Sequence, residues 1–112
     1  MVREIQNVDL NSYNEEIKEG LVLVDAFASW CGPCKMLAPV LNSVSEDEEM
    51  SVVKFIKFSV ETHKELARDL DIKSIPTLIL YSNGTELKRI SGYMPKKEII
   101  EWIKPMINVW GK

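Results

Sequence analysis

The stretch LVLVDAFASWCGPCKMLAPVLNSVSE, residues 21–46, decides how the chain is read. Its opening run, 21–28, is almost entirely apolar, as expected of a central strand buried on both faces. Its second half carries Leu37, Val40, Leu41 and Val44 at helical spacing, which predicts a helix from about Cys34 to Glu46. Pro39 falls inside that helix, deletes one backbone hydrogen bond and predicts a kink. Between strand and helix stand the chain's two cysteines, Cys31 and Cys34, separated by Gly32 and Pro33.

Outward from this centre the pattern alternates. Residues 3–8 read as a short first strand. Asp9 is placed to cap a helix over 10–19 that Gly20 ends. VVKFIKFSV, 52–60, is rich in branched and aromatic residues and reads as a strand. A short helix over 62–70 follows, then a strand over 76–82. Asn83-Gly84 signals a tight hairpin into an antiparallel strand over 85–90. From Pro95 a last helix sets Ile99, Ile103, Ile107 and Trp110 on one face, and Pro105 predicts that it kinks or stops near Lys104. The order β-α-β-α-β-α-β-β-α predicts a mixed sheet with helices on both faces.

The bulk numbers set limits. At 112 residues the chain has the size of one domain and can bury a core without covalent help. Its apolar fraction of 46% and charged fraction of 28% are ordinary for a soluble protein. A net charge of -3 and the lack of a basic cluster speak against nucleic-acid binding. No stretch approaches the ~20 apolar residues needed to span a membrane. The first residues, MVREIQNVDL, lack the apolar centre of a signal peptide, and INVWGK carries no lipidation signal. A cytoplasmic location is the expectation, and there a structural disulfide is disfavoured.

Three chemistries could use two cysteines three residues apart. A zinc site wants four ligands, and the only histidine, His63, lies far along the chain on an expected surface helix. Haem attachment fails because Lys35 stands where histidine is needed, and an iron–sulfur cluster needs more thiolates. A reversible redox pair fits better. With Cys31 at the mouth of the helix and Cys34 in its first turn, their Cα atoms would lie near the ~5.5 Å that a disulfide prefers. The helix N-terminus would favour the Cys31 thiolate by up to about 2 kcal/mol, or about one to one and a half pKa units. Intrinsic nucleophilicity falls with pKa, so the net gain in rate is only about threefold. The larger effect must be Cys34 waiting as an intramolecular thiol behind a reachable Cys31. Gly32 lets a substrate backbone come close, and Pro33 stiffens the turn at little cost to the helix.

Other residues have a plain and a functional reading. Asp25 is the only charge in the apolar run. It is either a hydrogen-bonded structural carboxylate or a proton acceptor for Cys34, and its place in a strand ending at the cysteines favours the second. Lys57, in the next expected strand, is its nearest candidate partner. Pro76 could simply start a strand or could follow a cis peptide bond that shapes a groove. Trp30 is either a core aromatic or a shield over the reactive turn. The acidic run SEDEE, 45–49, reads as a solvated helix end.

Taken together, these residues resemble the thioredoxin family over about 8–107. The motif Trp30-Cys31-Gly32-Pro33-Cys34-Lys35 is similar to that family's active site, and Asp25, Pro39, Lys57, Ile75-Pro76-Thr77 and Gly92 match as well. The resemblance implies a single domain, 1–112, with a five-stranded mixed sheet flanked by four helices. It implies that Pro76 is cis and faces the cysteines, and that Trp30, Gly32, Pro33, Ile75, Pro76 and Gly92 line the groove for a substrate chain. It assigns Asp25 as the buried acid behind Cys34 with Lys57 beside it. A depressed pKa of the first thiol is itself a known property of that family. The implied activity is protein disulfide reduction by a monomer with no bound cofactor, its electrons coming from NADPH through a thioredoxin reductase. Phe27, Ser59, Ser74 and Tyr93 depart from common family choices, and Ser74 and Tyr93 fall at the implied groove rim, where they would bear on partner preference.

Two other functions compete. An oxidase or isomerase would use the same chemistry, yet Gly-Pro offers no histidine to stabilise the reduced form. A binding module with idle cysteines would keep the groove and lose the turnover.

Overall fold

The structure is a computed structural model describing residues 1–110. The expected apolar role of the Trp110 side chain lies outside what is described. The elements are β1 (Arg3–Glu4), α1 (Leu10–Ile17), β2 (Leu21–Phe27), α2 (Gly32–Ser45), a 3-10 turn (Glu48–Met50), β3 (Val53–Ser59), α3 (Lys64–Asp69), β4 (Thr77–Ser82), β5 (Thr85–Ser91) and α4 (Lys96–Trp110). They form the expected five-stranded mixed sheet with four helices, in strand order β1-β3-β2-β4-β5. β2 lies at its centre, parallel to β3 and antiparallel to β4.

The alternation of a strand decides what lies on each face. On one face, Leu21 and Leu23 of β2, Phe55 of β3 and Leu78 and Leu80 of β4 meet Leu37 and Leu41 of α2 and Ile99 and Ile103 of α4. On the other, Val22, Val24, Ile56, Phe58 and Ile79 meet Tyr13 and Ile17 of α1 and Leu66 of α3. There Tyr13 and Tyr81 share a buried hydrogen bond of 2.8 Å between their hydroxyls, with Phe58 edge-on to Tyr13. By the same period Asp25 and Lys57 belong to the α2 face, on adjacent strands and directly opposite in register.

Several boundaries differ from the sequence reading. β1 stops at Glu4, because Asn7 takes a left-handed φ of 54° and turns the chain away. α1 ends at Ile17, two residues short of the expected end; Asp9 caps it as expected, accepting the Ser12 N–H at 2.9 Å. α2 starts at Gly32, ahead of Cys34, because Cys31 caps it and Pro33 suits the first turn. Both interior prolines sit within unbroken helices. α4 runs past Pro105, whose loss of an N–H falls on the exposed side of the helix, where water can serve the carbonyl of exposed Glu101. The acidic run caps and braces: Asp47 accepts the Glu49 N–H, and Glu49 pairs with Lys104 at 2.6 Å.

Candidate active site

β2 delivers the chain to the start of α2 at the carboxyl end of the sheet's central strand, the place where open α/β sheets bind ligands. Cys31 is the cap residue of α2, with φ −85° and ψ 114°. Its sulfur occupies the position usually filled by a Ser or Asp oxygen, and the Cys34 N–H points at it from 3.2 Å. Cys31 and Cys34 form a disulfide with a Cα–Cα distance of 5.2 Å. The helix field and one aimed N–H thus act on Cys31 rather than on its mate.

Exposure does not separate the two cysteines, contrary to the expectation of a reachable Cys31 in front of a hidden Cys34: each is 5% exposed. What differs is what each side chain faces. The Cys31 sulfur lies 3.9 Å from the carbonyl oxygen of Ile75. Cys34 lines a cavity of about 130 Å³ together with Asp25, Phe27, Lys35 and Lys57. Asp25 is 3% exposed, and among the described residues no donor reaches its enclosed Oδ1. Burial pushes its carboxyl up to about 7, against a weaker opposing pull from the Lys57 charge.

Lys57 does not clasp Asp25. Its ammonium sits over the Phe27 ring, 5.2 Å from the centroid, so it acts on the carboxyl through space and not through a hydrogen bond. Phe27, one of the family departures, is therefore what seats the lysine.

The Ile75–Pro76 peptide is cis. The carbonyl of Pro76 accepts the Gly92 N–H at 2.8 Å, and Gly92 has φ +97°, a conformation that strains any other residue. Trp30 is 69% exposed and belongs to no core, which settles its two readings against the core one. Gly32 and Pro33 are exposed at the start of the helix, and a Cβ on Gly32 would meet no atom of the chain within 4 Å. Ile75 is half-buried and Pro76 buried.

Two features escaped the sequence reading. His63 is buried, not an exposed helix residue: its Nδ1 lies 3.0 Å from the Ser59 carbonyl and its ring stands edge-on to Phe58. Glu61 accepts both the N–H and the hydroxyl of Ser29, at 2.7 and 2.6 Å, bracing the loop that presents Trp30. Glu61 meets Ser29 from a distant part of the chain, with no local pattern to announce it, whereas His63 is held by its near neighbours Phe58 and Ser59 and accepts the distant Val8 N–H at 3.4 Å.

A family model described as Thioredoxin matches residues 4–105. The chain belongs to the thioredoxin family. It is 39% identical over 107 residues to a thioredoxin of Listeria monocytogenes, covering 96% of this chain and all of that one. It is 42% identical over 99 residues to a thioredoxin of Chlamydia caviae, covering 88% and 95% of the two chains. The X-ray structure of Fasciola hepatica thioredoxin superposes with a TM-score of 0.77 at 32% identity, covering 92% of this chain and 97% of that one. Thioredoxins are thiol–disulfide oxidoreductases, and this chain carries the redox-active cysteine pair at bonding distance. Among the described residues, no helix is long and apolar enough to cross a membrane.

Proposed function

We propose that this single-domain thioredoxin is a monomeric, cytoplasmic protein-disulfide reductase in which Cys31 attacks and Cys34 resolves. The Cys31 thiolate attacks one sulfur of a substrate disulfide. That S–S bond breaks, a mixed disulfide forms, and the substrate's other sulfur leaves as a thiolate that takes a proton from water. Cys34, giving its proton to Asp25, attacks the Cys31 sulfur. The protein's own disulfide forms, and the second substrate thiolate leaves. Two electrons pass to the substrate, and a thioredoxin reductase using NADPH returns them; no cofactor is held by the chain.

The observation that carries this reading is the opposite setting of the two sulfurs. Cys31 caps a helix and has an N–H aimed at it, while Cys34 shares a small cavity with a buried carboxyl pushed up to about 7. A base with a pKa near the working pH is the best placed to take a thiol proton. Lys57 tunes that base. Trp30, Gly32, Pro33, Ile75, Pro76 and Gly92 frame the approach, and the open space over Gly32 suits an incoming backbone.

Insulin reduction driven by NADPH and a thioredoxin reductase tests the assignment. Turnover is expected to vanish in Cys31→Ser, and Cys34→Ser is expected to accumulate mixed disulfides through Cys31. Trapping through Cys34 in Cys31→Ser, with none in Cys34→Ser, reverses the roles. Asp25→Asn is expected to slow resolution at least about tenfold while sparing the first attack, as general-base catalysis requires. Partner binding without any turnover in the native protein would favour a binding module.

A further inference from the structure

Beside the cysteines, a groove of about 500 Å³ runs from Trp30 and Ile75 along α3. Its floor is apolar, built from Val60, Ala67 and Ile72 together with Ile75. Three cations border it, Lys64, Arg68 and Lys73, against one carboxylate, Asp71. Lys73 lies 3.9 Å from Asp71, and both side chains are about four-fifths exposed, so that pair is loose. Among the described residues, neither Lys64 nor Arg68 has an ion-pair partner, whereas the other two arginines, Arg3 and Arg89, each have one.

Lys64 and Arg68 are four residues apart and so are Glu65 and Asp69, which places like charges one turn above each other on both sides. Such pairs weaken a helix where the reverse order would support it. The effect is to sort the charges. Asp9, Glu61, Glu65 and Asp69 border the concavity between α3 and α1, Arg68 borders only the groove at the cysteines, and Lys64 stands on the ridge between.

We propose that this groove selects the partner: resting on the reductase reading above, it takes an extended, acidic segment adjoining the partner's disulfide. The segment lays an apolar side chain against Ile72 and Ile75 and sets its carboxylates against Lys64 and Arg68. Ile75 joins the two regions, because its carbonyl is 3.9 Å from the attacking sulfur while it also lines the groove. A chain bonded to Cys31 therefore continues into the groove without a turn elsewhere. Complementary charge at a cleft raises the rate of encounter and penalises wrong partners.

The test uses three disulfide-bridged peptides of equal length, flanked on one side by glutamates, glutamines or lysines. Each rate constant for reduction is divided by that for reduction of the same peptide by dithiothreitol, which removes differences in intrinsic reactivity. At low ionic strength the glutamate peptide is expected to be reduced about tenfold faster than the lysine peptide, the low end of such steering. About 1 M salt should bring the ratio near one, because the screening length falls to ~3 Å. Lys64→Glu with Arg68→Glu should abolish or invert the ratio, whereas Lys97→Glu with Lys104→Glu, on α4 across the sheet, should leave it. A ratio near one in the native protein, with the glutamine peptide reduced normally, overturns the groove's selectivity and leaves the reductase reading standing. No reduction of any peptide overturns both. The salt dependence of the native protein decides the matter even if a charge-reversed variant fails to fold.

Discussion

Asp25 shows what the proton-accepting role proposed for it costs the fold. Its carboxyl is held up to about 7 by burial, well above its unfolded value near 3.8. The folded protein therefore keeps a proton that the unfolded chain has already released, and stability falls as pH rises through that interval. Between about pH 5 and pH 8 the disulfide form is expected to lose on the order of 2–3 kcal/mol, at ~1.36 kcal/mol per unit. Urea unfolding at a series of pH values checks it: Asp25→Asn should flatten the slope, and an unchanged slope would show that another group is responsible. That Asp25 is buried was legible in the sequence, since it interrupts an apolar strand. That Lys57 would lean on Phe27 instead of pairing with Asp25 was not. Register can be guessed from alternation, but the direction of a long side chain depends on neighbours from another strand. His63 was misread for a related reason: it precedes the short helix α3 instead of lying on its outer side, and the Ser59 carbonyl, the Phe58 ring and the Val8 N–H hold its ring inward.

At the scale of elements, the hairpin between β4 and β5 was the easiest to read, and its turn does more than reverse the chain. Asn83 and Gly84 take φ of 48° and 85°, as the Asn-Gly signal demands. Asn83 also accepts the Gly20 N–H through its side chain at 2.8 Å and donates its own N–H to the Gly20 carbonyl at 2.9 Å. The hairpin tip thereby clasps the turn between α1 and β2. Asn83→Ala is expected to cost about 1–2 kcal/mol, one lost hydrogen bond plus a left-handed backbone without an asparagine; thermal or urea unfolding measures it, and a neutral result would mean the clasp adds nothing. Asn83→Gly should recover the backbone part alone. Helix starts were also legible where a cap residue stands next to an apolar stripe, as at Asp9. Helix ends near proline were less so: Pro105 looks like a stop, yet the apolar face carrying Ile99 and Ile103 is anchored so firmly against the sheet that the helix continues.

Over the whole molecule, one strand organises both structure and chemistry. β2 is fully buried up to Ala26, and its odd and even positions feed two separate cores. Asp25 lies on the side covered by α2, so the residue proposed to take the Cys34 proton is set by the same period of two that builds the core. This much follows from the order of apolar and polar residues alone. The charge sorting along α3 does not, because it depends on which side of a six-residue helix faces the cysteines. The shared hydroxyl bond of Tyr13 and Tyr81 has a consequence at the far end of the pH scale. Burial, the largest cause at each, raises both phenols above the usual value of 10.0. In strong alkali the unfolded chain would ionise these rings first, pulling the equilibrium toward itself. Phenolate ultraviolet absorbance from this pair should then emerge together with the loss of circular dichroism, and its earlier emergence from an intact molecule would contradict the pairing.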